Sequence, residues 1–218
     1  MAYHFDWSVL LQYRNLLWDG LRATVLLVAA TMAASSTIGA VVALAREYGS
    51  APLRWVCVGY TELFRNVPPI VQFFLWDFGV GLDVFPAALV GLSVFTSTYV
   101  AEVLRSGVHA TPQTLVEAGR CSGMSGLQAL CYIVLPQAVL RSLPALGIEY
   151  INVIKNSAVA MTVGYAELTF QTQQIEAETF RGFEAATAVT VLYVMLASVV
   201  LVGMHALEHL LRGDLRRG

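Results

Sequence analysis

Runs of apolar residues, broken at wide intervals by single charges, set the pattern of this chain. A helix needs about 20 apolar residues to cross the hydrocarbon core of a bilayer. Ala23 to Ala45 carries no charge. Asp83 and Glu102 bracket a second uncharged run, Val84 to Ala101, and Glu184 and Glu208 bracket a third, Ala185 to Leu207. Two further apolar stretches are interrupted. Trp55 to Phe78 contains Glu62, Arg65 and Pro68-Pro69, and Ser142 to Ala166 contains Glu149 and Lys155. The pattern predicts an all-α chain with about five membrane-spanning helices. Between the third and fourth, residues 113–122 have helical spacing after Pro112, and Gly123 supplies the stop. Residues 126–132 form a second short apolar segment, and Pro136 marks the return to the membrane.

Composition agrees with this reading. Of 218 residues 57% are apolar and only 13% charged, against about 25% in a soluble domain, and mean hydropathy is +0.65. The net charge of −2 decides little. The placement of arginines decides more, because short basic loops stay in the cytoplasm. Arg46 and Arg54 flank one loop, Arg105, Arg120 and Arg141 mark another, and Arg212, Arg216 and Arg217 end the chain. The alternate loops hold Asp77 and Asp83, then Glu167, Glu176, Glu178, Arg181 and Glu184, and the other outward arginines are Arg14 and Arg22 near the start. The expected topology is N-out and C-in. The first residues lack the basic start and apolar core of a signal peptide, so the first apolar helix is expected to remain in the mature chain. Cys57, Cys121 and Cys131 have neither metal nor redox spacing and are expected to be unpaired packing residues. No soluble domain, linker or inverted repeat interrupts the chain. A single transmembrane domain, 1–218 with a core of about 20–212, is expected, and five helices enclose a pathway better as a pair of subunits.

The polar segment between the third and fourth spans carries the most specific signal. Glu117, Ala118, Gly123, Ile133, Leu135 and Pro136, followed by Gln137-Ala138, are spaced as in an EAA-type loop. Three more motifs keep it company: YTELFRNVPPIVQFF at 60–74, YVAEVLRSGV at 99–108 and INVIKNSAVAMTVG at 151–164. With these four motifs in order, the chain resembles the membrane permease subunit of ATP-binding-cassette importers, in the polar amino acid branch. The resemblance implies a type I importer permease fold in a bacterial inner membrane, with a cytoplasmic coupling helix in the loop 112–136. It makes Glu117, Ala118, Gly119, Gly123, Leu135 and Pro136 the residues that couple to an ATPase. It also implies three protein partners: a separate ATP-binding-cassette ATPase, a second permease subunit, identical or sister, and an extracytoplasmic solute-binding protein. ATP-Mg would sit on the partner ATPase, with no cofactor on this chain and no nucleic-acid partner. Two positions depart from the family pattern. Thr114-Leu115 stand where Gly-Gln is usual, and Gly119 replaces the second Ala of Glu-Ala-Ala. Glycine costs about 1 kcal/mol relative to alanine in a helix, so a softer docking helix is expected.

Ionisable groups at membrane depth mark either pathways or structural pairs. Glu62 and Arg65, like Glu102 and Arg105, are three apart and are expected to pair on one helix face. Pro68-Pro69 should break or kink the second span. On the fourth span, Glu149, Asn152, Lys155 and Asn156 fall within an arc of about 120°, with Ser157 just outside it. That stripe is either interhelical polar packing or a substrate pathway. In the second case Lys155 would attract a carboxylate, Asn152 and Asn156 would hydrogen-bond a zwitterion, and Glu149 would meet an ammonium group. Glu167, Gln171, Gln173 and Gln174 read as a solvated outer loop. His205 and His209 lie four apart without a third ligand, so no metal is expected.

No G-x-x-x-x-G-K-[ST] loop is present to bind ATP, and no nucleophile–base set or Asp pair lies in a span, so an intramembrane enzyme is not expected. A channel or a structural membrane subunit is the reading from a different class. Within the resemblance, the wording of the motifs points first to glutamate and aspartate as substrates. Glutamine, arginine, histidine and cystine permeases are the alternative.

Overall fold

The structure, a computed structural model, describes residues 4–215, with side chains described up to 211. Arg216 and Arg217, two of the basic residues used for topology, lie outside the described residues. Every regular element among the described residues is helical. This is what a bilayer imposes, because a helix satisfies its own backbone hydrogen bonds.

A single turn, α1 (Ser8–Gln12), precedes α2 (Arg14–Tyr48), which at 35 residues is far longer than its apolar run. Next come α3 (Ala51–Asn66), α4 (Pro69–Phe74) with a π-helical turn Leu75–Gly79, and α5 (Val84–His109). Two short helices, α6 (Gln113–Cys121) and α7 (Gly126–Ala129), lead through a π-helical turn Leu130–Val134 into α8 (Leu135–Ser157). That helix tightens into a 3₁₀ segment, Ala158–Val163, and stops at Gly164, whose φ of +83° favours glycine. α9 (Leu168–Thr179) and α10 (Gly182–Leu215) complete the described chain.

Four helical stretches among the described residues are long and apolar enough to cross a membrane: 14–48, 84–109, 126–163 and 182–211. The expected span over 55–78 is not one helix. Pro68 has no N–H and adopts an extended backbone (φ −56°, ψ 143°), so α3 ends before it and α4 restarts at Pro69. The expected outer loop around Glu167 is also different, since 168–179 is a helix.

The chain divides into two compact units. One comprises 1–33, 67–95 and 151–199, the other 34–66, 96–150 and 200–218. Each of α2, α5, α8 and α10 contributes one portion to each unit. The core of the first gathers Val9, Leu17, Leu168, Ile175, Ala185 and Val189. That of the second gathers Val42, Ala43, Cys57 and Ala101. Cys57 is therefore a packing residue, whereas Cys121 and Cys131 are exposed.

Candidate functional site

The polar segment after α5 folds by local rules. Pro112 precedes the first turn of α6, and the Ser122 hydroxyl donates to the Ala118 carbonyl at 3.0 Å near its end. Gly123 takes φ +89°, which reverses the chain and lets the Met124 amide donate to the Gly119 carbonyl at 3.1 Å. Ser125 then opens α7 with a reciprocal cap. The Gln128 amide donates to its hydroxyl at 3.3 Å, and its own amide donates to Gln128 Oε1 at 2.8 Å.

This places the expected coupling residues on two sides of one small helical layer. Glu117 and Ala118 are exposed on α6, while Gly119 is buried. A methyl group at Gly119 would lie 2.5 Å from Ile133 Cδ1 and 3.2 Å from Met124 Sδ. The glycine is thus more than a weak helix former, because it lets α6 approach the turn that carries Ile133. Leu135 and Pro136 are half-buried where the π-helical turn Leu130–Val134 runs on into α8, a change of helical register that accommodates the missing proline N–H. Gly123 is exposed. A shallow groove of about 420 Å³ runs beside α6, lined by Tyr48, Val116, Arg120, Leu127, Leu130 and Val134. Leu115, Leu127 and Tyr132 of the same segment are exposed.

The charged residues of α2, α3 and α5 in the same unit form a network rather than two separate pairs. Glu102 Oε2 accepts from Arg46 at 2.8 Å and lies 3.9 Å from Arg65, and Glu102 Oε1 accepts from Arg105 at 3.3 Å. Glu47 in turn meets Arg105 at 3.5 Å and His109 at 3.1 Å. The expected Glu102–Arg105 pair is present. The expected Glu62–Arg65 pair is not: Glu62 is exposed, and Arg65 turns to the Thr98 carbonyl (3.0 Å), the Tyr99 ring (5.1 Å) and Glu102. A partly buried hydrogen bond across helices outweighs a solvent-facing i,i+3 pair.

The polar stripe on α8 is distributed among different surroundings. Glu149 is half-buried and lines a cavity of about 410 Å³ in the second unit, together with Arg65, Tyr99, Glu102, Arg141 and Ser142. Lys155 is exposed and lines a second cavity of about 370 Å³ in the first unit, among Ile154, Ala158, Val194 and Ala197. Asn152 and Asn156 are half-buried and line neither cavity. Ser157 is buried and donates to the Ile154 carbonyl at 2.8 Å, so its hydroxyl is engaged by its own helix.

Two residues assigned to a solvated loop are interior. Glu167 is fully buried and caps α9 by accepting from the Phe170 amide at 2.8 Å. Its other oxygen accepts from the Tyr193 hydroxyl, which also meets Thr169 Oγ1 at 2.9 Å. Burial pushes the Glu167 carboxyl above its ordinary value of 4.5, and the Tyr193 and backbone hydrogen bonds oppose that rise. Gln171, one turn later, is buried at the place where Gly20 packs. Gln173 and Gln174 are exposed, as expected. The clue in the sequence was an acidic side chain directly ahead of a helical run, the position of an N-cap. Arg141, read only as a topology marker, was likewise missed as a wall of the Glu149 cavity.

Residues 21–212 match the family described as binding-protein-dependent transport system inner membrane component. The chain belongs to that family. It is accordingly the inner-membrane permease subunit of an ATP-binding-cassette importer, a transport component of a system that depends on a binding protein and an ATPase. Among relatives, the probable glutamine ABC transporter permease protein GlnM of Bacillus subtilis (strain 168) is 32% identical over 92% of this chain and 95% of its own length. The glutamate/aspartate import permease protein GltJ of Escherichia coli (strain K12) is 26% identical, covering 97% of each chain. A crystal structure of an amino acid ABC transporter with histidines contains a chain that superposes with a TM-score of 0.87 at 30% identity. The match covers 95% of this permease and 99% of that chain.

Proposed function

We propose that this permease moves a polar amino acid across the inner membrane, with its amino terminus outside and its carboxyl terminus in the cytoplasm. The observation that carries the substrate class is the full-length similarity to permeases whose names specify glutamine and glutamate/aspartate. In this reading residues 1–218 act as one transmembrane domain. A separate ATPase, holding ATP-Mg, docks on α6, and this chain itself binds no nucleotide. Glu117 and Ala118 face that partner, Gly119 and Gly123 shape the helix and its turn, and Leu135 and Pro136 anchor the segment to α8.

Two permeases, identical or sister chains, form the pathway. The long apolar window of α10 is only 11% buried within the chain itself, so lipid or a second subunit must cover it. ATP-driven closure of two ATPases brings the two α6 segments together and opens the pair outward, where the binding protein releases its amino acid. Hydrolysis returns the inward-facing state, an alternating-access cycle of rigid-body motion. Lys155 and Glu149, with Asn152 and Asn156, supply opposite charges and hydrogen-bonding groups along the route of a zwitterion.

The test is co-purification. The carboxyl-terminally tagged permease, expressed with its neighbouring genes and solubilised in mild detergent, should retain an ATPase, and Glu117→Arg should lose it while remaining folded. A folded wild-type chain that never retains an ATPase would refute the coupling assignment.

A further inference from the structure

Within the second unit, α3, α5 and α8 line the open cavity of about 410 Å³, a volume typical of small-molecule sites. Two cations, Arg65 and Arg141, and two anions, Glu102 and Glu149, line it. Their states differ. Glu102 is already shared among Arg46, Arg65 and Arg105. Glu149 and Arg141 have no ionic or hydrogen-bonding partner among the described residues. Arg65 is held by Thr98 and Tyr99, yet its Nε is buried without a hydrogen bond. Glu149 is half-buried and Arg141 is exposed at the edge of the cavity; a charge without a partner is costly where it faces lipid, so a cavity that collects such groups suits water or a polar ligand. Glu149 and Arg141 lie eight residues apart on α8, about 12 Å along its axis, and both line the cavity.

Resting on the amino acid reading above, we infer that this cavity is a subsite for the zwitterionic head of the transported amino acid, and that it favours a substrate of zero net charge. The α-ammonium group meets Glu149. The α-carboxylate meets Arg141, with Arg65 as the second cation of the wall. Glu102 belongs to the wall and keeps Arg65 in place. Because the lining carries equal numbers of positive and negative groups, a neutral zwitterion such as glutamine leaves the cavity balanced. Glutamate adds an unmatched negative charge beside Glu102 and Glu149 and binds less well. The preference for acidic substrates suggested by the motif wording is thereby reversed at this site.

The experiment uses the full chain in nanodiscs for equilibrium binding, and the complete importer in proteoliposomes for uptake. L-Glutamine should bind the wild type more tightly than L-glutamate. Glutaramic acid, which is glutamine without its α-amino group, should bind about tenfold or more weakly, the usual worth of a charge-assisted hydrogen bond. Glu149→Gln should lose about the same factor for glutamine and lose nothing further for glutaramic acid, while Glu149→Asp recovers part of the loss. Arg141→Gln should show the same pattern toward glutamine α-amide.

Glutaramic acid binding the wild type as well as glutamine, or glutamate binding better, would overturn the inference without any variant having to fold. So would wild-type chain that binds no glutamine, or Glu149→Gln importer that takes up glutamine at the wild-type rate. Failure of the amino acid reading has a different signature: the complete wild-type importer then takes up no amino acid at all.

Discussion

Arg46 reaches from α2 to place its guanidinium 2.8 Å from the Glu102 carboxylate on α5, with the Arg46 side chain only 13% exposed. Glu102 thus neutralises an arginine that could not remain unpaired at low cost, while also meeting Arg65 and Arg105. Breaking a partly buried pair costs more than breaking an exposed one. Glu102→Gln is expected to lower unfolding stability by about 1–3 kcal/mol, visible as a lower melting temperature in detergent. Arg105→Gln should cost less, because Glu102 then keeps Arg46 and Arg65 and Glu47 keeps His109. Equal losses from the two variants would show that Glu102 is not the hub of this network.

Close helix packing in the same unit depends on Gly107. A methyl group there would lie 2.2 Å from Ser142 Oγ and 2.5 Å from the Ala138 carbonyl oxygen, and backbone cannot rotate away as a side chain can. Gly107→Ala should therefore force α5 from α8 and destabilise by about 1–3 kcal/mol. Gly59 on α3 has nothing within 4 Å of such a methyl group. Gly59→Ala should gain up to about 1 kcal/mol from helix propensity. Opposite shifts in melting temperature are expected, and a loss at both positions would contradict the packing argument.

Much of this arrangement was legible in the sequence. Uncharged runs such as Val84 to Ala101 lie within spanning helices, because length and apolarity alone decide that outcome. The break at Pro68, the stop at Gly123 and the short helix after Pro112 follow from local backbone chemistry. Partner choice among charges was less legible. Spacing gave Arg65 a neighbour in Glu62, but Glu102, Thr98 and Tyr99 on another helix compete for it. The same limit hid the cavity that Glu149 shares with Arg65 and Glu102 of other helices, and the burial of Glu167, which Tyr193 reaches from α10. Helical periodicity orders side chains around one axis and says nothing of which other helix faces them.

Gly119 allows a direct test of close approach in the coupling segment. Alanine there gains about 1 kcal/mol of helix propensity, but its methyl group would meet Ile133 Cδ1 at 2.5 Å. Since that atom is the end of a flexible side chain, the net loss should be small, about 1 kcal/mol. Ile133→Val removes Cδ1 and opens the space. The double variant Gly119→Ala/Ile133→Val should then melt above the Gly119→Ala single variant, and a double-mutant cycle should give a favourable coupling. Strict additivity would mean that the two side chains do not share this space.

Glu167 links the fold to pH. Its carboxyl is raised by burial above the ordinary 4.5, so the folded state holds a proton that the unfolded chain has already released. Stability from this group is therefore fully present below pH 4.5 and declines as pH rises toward the folded value, after which the penalty stays constant. Asp6 acts in the opposite sense, since hydrogen bonds from Ser8 lower its pKa and its stabilisation grows as pH rises. The difference between wild type and Glu167→Gln isolates the first effect. Glutamine retains an oxygen to cap the Phe170 amide and an amide group to face Tyr193, without a charge to desolvate. The melting temperature of wild type relative to Glu167→Gln should fall between pH 4.5 and neutrality. A difference that is flat, or that rises with pH, would place the Glu167 carboxylate in a setting that favours its charge.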